Sequence, residues 1–179
     1  LQAAFAGESM ARNKYTFFAS VAKNAGYEQI AAIFLDNAEN EKEHAKVFFK
    51  YLEGGEVEIT ASYPAGVIGD TAANLKAAAD GEKHEWSALY AGFERVAREE
   101  GFPDIAESFH EIAEVEEFHE IRYRKLAANI ADGEVFRKKA PVKWHCRNCG
   151  YVHEGVEAPD VCPACRHPKA HYEVLAENY

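Results

Sequence analysis

At 179 residues, with 47% hydrophobic and 28% charged side chains, the chain has the composition of a folded globular protein rather than a disordered one, with room for one core and a small appendage. Its net charge of −10 leaves no positive footprint for phosphates, which argues against a nucleic-acid partner. No run approaches the roughly 20 apolar residues that span a bilayer, and no basic-then-apolar segment of the signal-peptide kind opens the chain.

Glycine and proline divide residues 1–133 into four long helical segments. The first runs from about Leu1 to Ala25 and stops at Gly26; it opens inside a helical pattern without a methionine, which reads as a slight shortening at the front. The second runs from about Glu28 to Glu53, before Gly54-Gly55, and a connection follows through Val57, Ile59, Pro64 and Gly66. The third spans about Ile68 to Glu100, stopped by Gly101. The fourth begins near Pro103, a favoured first-turn residue, and ends before Gly133. Two short joins predict two antiparallel hairpins. The long middle connection can cross the bundle, which would make the second and third helices parallel in the ferritin-like manner. Its length also leaves room for a hinge that exchanges helices between subunits, which the sequence does not decide. Residues 134–141 read as a charged linker, and 142–179 as a module too small to hold together without a metal.

Core-stripe spacing selects Ala4, Glu8, Ala11, Tyr15, Phe18 and Ala22 in the first helix, and Ile30, Phe34, Asn37, Glu41, His44, Phe48 and Tyr51 in the second. The third gives Leu75, Ala78, Glu82, Glu85, Leu89 and Gly92. The fourth gives Ile105, Phe109, Ile112, Glu116, His119, Tyr123, Leu126 and Ile130. Every stripe is apolar or aromatic at its ends and acidic in the middle. A buried unpaired carboxylate costs several kcal/mol or more, and five together cannot all ionise without a counter-charge. No lysine or arginine lies on the stripes to supply one. A pair of iron ions would.

Oxygen-rich ligation with some imidazole suits iron or manganese better than structural zinc. Di-iron bundles use one Glu from each of two helices and a Glu-x-x-His from each of the other two. Here Glu8 and Glu82 are the single carboxylates, and Glu41-Lys42-Glu43-His44 and Glu116-Glu117-Phe118-His119 are the paired motifs. Glu-x-x-His also arises by chance, as in Glu107-Ser108-Phe109-His110; Glu107 lies about 180° around the helix from Glu116 and should face solvent. Glu85, one turn after Glu82, is a seventh candidate ligand: either an incidental acid at the rim or one that trades places with a histidine.

All four cysteines fall in two Cys-x-x-Cys pairs, Cys146/Cys149 and Cys162/Cys165, which predicts one tetrahedral metal in a reducing compartment; the protein is expected to be cytoplasmic. Spacing alone allows zinc or iron. The flanking Trp144, Gly150-Tyr151, Pro168-Lys169 and Tyr172-Glu173-Val174 are similar to rubredoxin and favour iron.

Together, Phe5-Ala6-Gly7-Glu8-Ser9, the two Glu-x-x-His motifs, Glu82 with Glu85 and the cysteine knuckles resemble the rubrerythrin family over essentially the whole chain. The resemblance implies a mainly α fold: a ferritin-like four-helix bundle over 1–133, then a small rubredoxin-like β domain. It implies that Glu41 and Glu116 bridge two irons. Glu8 and Glu85 would bind one, with His44 replacing Glu85 on reduction, and Glu82 and His119 would bind the other. Tyr15 and Tyr90 match tyrosines that hydrogen-bond around the site and have a catalytic role in this reading, although both also read as ordinary core aromatics. The implied activity is reduction of hydrogen peroxide to water in oxidative-stress defence. Electrons would pass from NAD(P)H through a separate reductase and rubredoxin to the four-cysteine iron, then to the di-iron site. The implied assembly is a homodimer in which one subunit's cysteine iron faces the other's di-iron site. Zinc is able to replace iron at either site in a recombinant preparation. The competing functions are a ferritin-like ferroxidase or iron store, an oxygen-reducing oxidase, and an electron carrier with the bundle as scaffold. The last is disfavoured because leucines would make a more stable scaffold than buried carboxylates.

Overall fold

The computed structural model describes residues 1–178. Helix α1 spans Gln2–Asn24, α2 Glu28–Lys50, α3 Thr71–His84, α4 Tyr90–Glu99 and α5 Pro103–Ala131. A single π-helical turn, Glu85–Leu89, joins α3 to α4. Gly26 ends α1 in the left-handed region at φ 82°, which lets the Tyr27 N–H reach back to the Ala22 carbonyl at 2.9 Å and the Gly26 N–H to Lys23 at 3.0 Å. The same pair of bonds closes α4 around Gly101. Helix α2 stops at Lys50, short of Glu53, because Glu53, Gly54 and Gly55 all take positive φ. Helix α3 starts at Thr71 rather than Ile68, because Asp70 caps it by accepting the Ala73 N–H at 2.8 Å.

Two apolar layers show the chain direction. One joins Ala11 to Ala22 of α1 with Ile30 to Ala38 of α2, Leu75 to Ala79 of α3, and Tyr123 and Leu126 of α5. The other joins Ala4 of α1, Phe48 of α2, Tyr90 of α4, and Phe109 and Ile112 of α5. Thus α2 and the α3–α4 rod run parallel, and residues 51–70 carry the chain from one end of the bundle to the other. This is the expected ferritin-like path.

The expected third stripe slips after Glu85. Leu89 and Gly92 are only half-buried, while Tyr90 and Ala97 are buried. The π turn fits one extra residue into the rod and rotates everything beyond it.

Strands β1 (Arg137–Cys146), β2 (Val152–Glu157) and β3 (Tyr172–Val174) form an antiparallel sheet in the order β2-β1-β3. The span read as a linker, 134–141, therefore includes the start of β1 at Arg137. Trp144, Cys146, Ala158, Cys162 and Tyr172 make a small core, with the Trp144 indole N–H donating to the Gly155 carbonyl at 2.9 Å. This unit meets the bundle at the α1–α2 turn, where Tyr27 stacks on Phe136 with centroids 6.0 Å apart. Among the described residues, no helix is long and apolar enough to cross a membrane.

Candidate metal centre

Between the two apolar layers lie Glu8 from α1, Glu41 and His44 from α2, Glu82 from α3, and Glu116 and His119 from α5, all buried. They form two quartets: Glu8, Glu41, His44 and Glu116; and Glu41, Glu82, Glu116 and His119. Within each, one donor atom per residue lies within 4.8 Å of the others. Glu41 and Glu116 belong to both. His44 Nδ1 stands 3.0 Å from Glu41 Oε2 and 2.8 Å from Glu116 Oε1. His119 Nδ1 stands 3.1 Å from Glu41 Oε1 and 2.7 Å from Glu116 Oε2. Each shared carboxylate thus offers one oxygen to each side, as a bridging ligand does. Glu107 of the chance motif is exposed, as its helical angle requires.

The donors fit metal ions better than they fit each other. Glu8 Oε2, Glu41 Oε1, Glu82 Oε2, both Glu116 oxygens and His119 Nδ1 are buried without a properly aligned hydrogen-bond partner. Protons take the counter-charge role when no metal is bound. Burial drives the Glu8 carboxyl well up, reinforced by the charges of Glu116 and Glu41. Burial followed by the same kind of repulsion lifts Glu82 to about 8. For the histidines, burial opposes the charge, but close contacts with the Glu116 and Glu41 carboxylates override it and raise His44 to about 9 and His119 to about 12. Burial likewise works against ionised Glu41, but contacts from His119 and His44 hold it at about 2. A carboxylate-rich, two-imidazole donor set suits a pair of divalent iron or manganese ions.

The two halves of the site repeat one arrangement. Tyr15 of α1 donates to Glu82 Oε1 at 2.5 Å, and Tyr90 of α4 donates to Glu8 Oε1. Tyr15 follows Glu8 by seven residues, whereas Tyr90 follows Glu82 by eight. The π turn absorbs that one-residue surplus, and Glu85 is its first residue. Glu85 is half-buried and lies outside both quartets. Burial and the charges of Glu82 and Glu116 push its carboxyl well up.

Around these candidate ligands are partners that the stripes did not single out. His119 Nε2 lies 3.3 Å from Asn40 Oδ1. Trp86 Nε1 donates to Glu120 at 2.7 Å, and Arg124 Nε donates to the same carboxylate at 2.6 Å. The 85–86 and 119–120 pairs place a ligand candidate and a link of this network side by side. Tyr63, from the crossing connection, donates to the Ala3 carbonyl. Nothing in the stripe spacing pointed to these contacts.

The second site gathers Cys146, Cys149, Cys162 and Cys165, all free thiols. Cys146 Sγ lies 3.8 Å from Cys165 Sγ, and Cys149 Sγ lies 3.7 Å from Cys162 Sγ. A tetrahedron with metal–sulfur bonds of about 2.3 Å has edges of about 3.8 Å, so the cysteines already describe it. These separations are far too long for disulfides. The His167 backbone N–H holds the Cys165 thiol down at about 5, favouring the thiolate that a metal needs.

Comparison with known proteins gives one family. The family model described as Rubrerythrin matches residues 1–127, and that described as Rubrerythrin, rubredoxin-like domain matches residues 144–173. Rubrerythrin of Porphyromonas gingivalis is 59% identical over 98% of this chain and 88% of its own length. Rubrerythrin of Nitratidesulfovibrio vulgaris is 56% identical over 98% of this chain and 92% of its own. Among solved structures, nigerythrin in a mixed-valence state superposes with a TM-score of 0.65 at 32% identity, covering 97% of this chain and 84% of that one.

Proposed function

The chain belongs to the rubrerythrin family, and from that premise we propose that it is a non-haem di-iron peroxidase that reduces hydrogen peroxide to water. The family's cofactors are a di-iron site and a four-cysteine iron site, and both donor sets are present. In this reading Glu8, Glu41, His44 and Glu116 hold one iron, and Glu41, Glu82, Glu116 and His119 hold the other. Cys146, Cys149, Cys162 and Cys165 hold the third. The observation that carries it is the pair of quartets sharing Glu41 and Glu116.

A di-ferrous pair supplies two electrons together, which with two protons convert one hydrogen peroxide into two waters. Glu41 and Glu116 keep both positions in register, because each spans them. The Tyr15 and Tyr90 hydroxyls fix the carboxylates of Glu82 and Glu8 and place a phenolic proton beside each. Glu85, which lies outside both quartets, would complete the set by exchanging with His44 when the iron changes oxidation state.

Electrons would come from NAD(P)H by way of a separate reductase and rubredoxin, entering at the four-cysteine iron. Glu41 lies fourteen positions after Tyr27, where the sheet docks, about 20 Å along the helix. That separation favours delivery from a partner subunit's cysteine site in a homodimer. An exposed apolar row on α5 beside the ligands, Val115, Phe118 and Ile121, supports such an assembly. Four free cysteines favour a reducing, cytoplasmic location.

The test is to reduce the iron-loaded protein anaerobically and mix it separately with hydrogen peroxide and with oxygen. Peroxide should reoxidise both iron sites much faster than oxygen does. Equal or faster reaction with oxygen, or a cysteine iron that stays reduced under peroxide, would replace this reading with an oxidase or iron-handling one.

A further inference from the structure

The flank of the site away from His44 and His119 contains a cavity of about 340 Å³ with Glu85 in its wall. It lies between α1, α3 and residues 61–67 of the crossing connection. Tyr15 and Glu85 stand at its inner side, and Gly7, Tyr63, Gly81 and His84 line it further out. At about 30 Å³ per water it has the volume of roughly ten waters, ample for a two-oxygen molecule. The wall is mostly small or apolar, with Asp80 and Glu85 as its acids and Lys14 as its base, so it suits a small molecule without a net charge.

The roof is weakly held. Among the described residues, segment 61–67 makes no backbone hydrogen bond, and its one side-chain bond is from the Tyr63 hydroxyl to the Ala3 carbonyl. The width depends on two glycines inside helices, where glycine is destabilising relative to alanine. A Cβ on Gly7 would stand 3.3 Å from Tyr63 Cε1, so alanine there would press on the Tyr63 ring. A Cβ on Gly81 would meet nothing within 4 Å, so a larger side chain has open space to fill.

We propose that this cavity is the route by which a small uncharged hydroperoxide reaches the carboxylate site, with Tyr63 as its gate and the bare Cα atoms of Gly7 and Gly81 setting its width. The inference rests on the peroxidase reading above. It makes Tyr63, Gly7 and Gly81 determinants of which peroxides react, without contact between any of them and a metal.

Two variants test it. Crystals of the iron-loaded protein under xenon pressure should show xenon in the cavity, and Gly81→Leu should abolish that density. In stopped-flow mixing of anaerobically reduced protein, Gly81→Leu should slow hydrogen peroxide about tenfold or more at unchanged iron content. Tyr63→Ala should speed the bulkier tert-butyl hydroperoxide about fivefold or more and change hydrogen peroxide less than about twofold. Tyr63 lies on an irregular segment, so this variant carries the test if Gly81→Leu does not fold. Absence of xenon from the wild-type cavity, or wild-type rates with both peroxides in the variants, would overturn the route while leaving the peroxidase reading standing. A wild-type protein inert to both peroxides would instead remove the peroxidase reading, and the route with it.

Discussion

Stripped of metal, the bundle should lose stability as pH rises through neutrality. The cause is proton uptake on folding. Burial and the charges of Glu41 and Glu116 raise Glu82 to about 8, while close contacts with the Glu116 and Glu41 carboxylates outweigh burial and raise His44 to about 9. A group whose folded pKa is raised contributes stability that is complete below its unfolded value and is lost as pH climbs through the folded one. For His44 the window is 6.5 to about 9, and for Glu82 it is 4.5 to about 8. Glu41, lowered from 4.5 to about 2, acts in the opposite sense, but its contribution is complete above 4.5 and stays constant here. Counting one excess proton for this interacting set, each pH unit costs about 1.4 kcal/mol. Between 6.5 and about 8 the loss is therefore about 2 kcal/mol, or about 4–8 °C in Tm for a chain of this size. Helical circular dichroism melts of chelator-treated protein at the two ends of that window measure it, with the iron-loaded protein as a control whose Tm should move much less. A metal-free Tm that stays level or rises across the window would refute the reasoning.

Three further outcomes follow from the shared-ligand geometry. Glu116→Ala, which strips a ligand from both quartets, should lower iron content by about two per chain, whereas Glu8→Ala should lower it by about one; plasma mass spectrometry distinguishes them, and equal losses would contradict the bridging assignment. Tyr15→Phe leaves Glu82 Oε1 without its buried donor and should destabilise the metal-free bundle by about 1–3 kcal/mol in chemical denaturation, with an effect near zero counting against that bond. Cys149→Ser should abolish the visible absorption of the cysteine iron and unfold the sheet module while the helical melt persists; retained absorption would show that Cys149 is not a ligand.

The sequence showed the six buried candidate ligands because the α-helical repeat turns spacing into direction. Glu8, Glu41, His44, Glu82, Glu116 and His119 each interrupt an apolar stripe, and all six are buried together. The cysteine knuckles were legible for the same local reason. Glu85 was legible as an acid but not as a position, because a straight helix from Ile68 to Glu100 was assumed across it. The π turn breaks that assumption, and its trace, eight residues from Glu82 to Tyr90 against seven from Glu8 to Tyr15, has meaning only once the two hairpins are superposed. The contact of Tyr63 with Ala3 joins residues 60 apart through an irregular segment, where no periodicity exists to read. The start of β1 was hidden in a charged run, Arg137 to Lys139, because its pairing with β2 is set by residues beyond the cysteine knuckle.

The central claim is that Glu41 and Glu116 bridge two irons inside the bundle, apart from a third among the cysteines. Anomalous diffraction at the iron edge from iron-loaded crystals tests it most directly. The account predicts three peaks per chain: two about 3.5–4 Å apart between Glu41 and Glu116, and one centred among Cys146, Cys149, Cys162 and Cys165. A single peak in the bundle, or two that do not share those carboxylates, would contradict it.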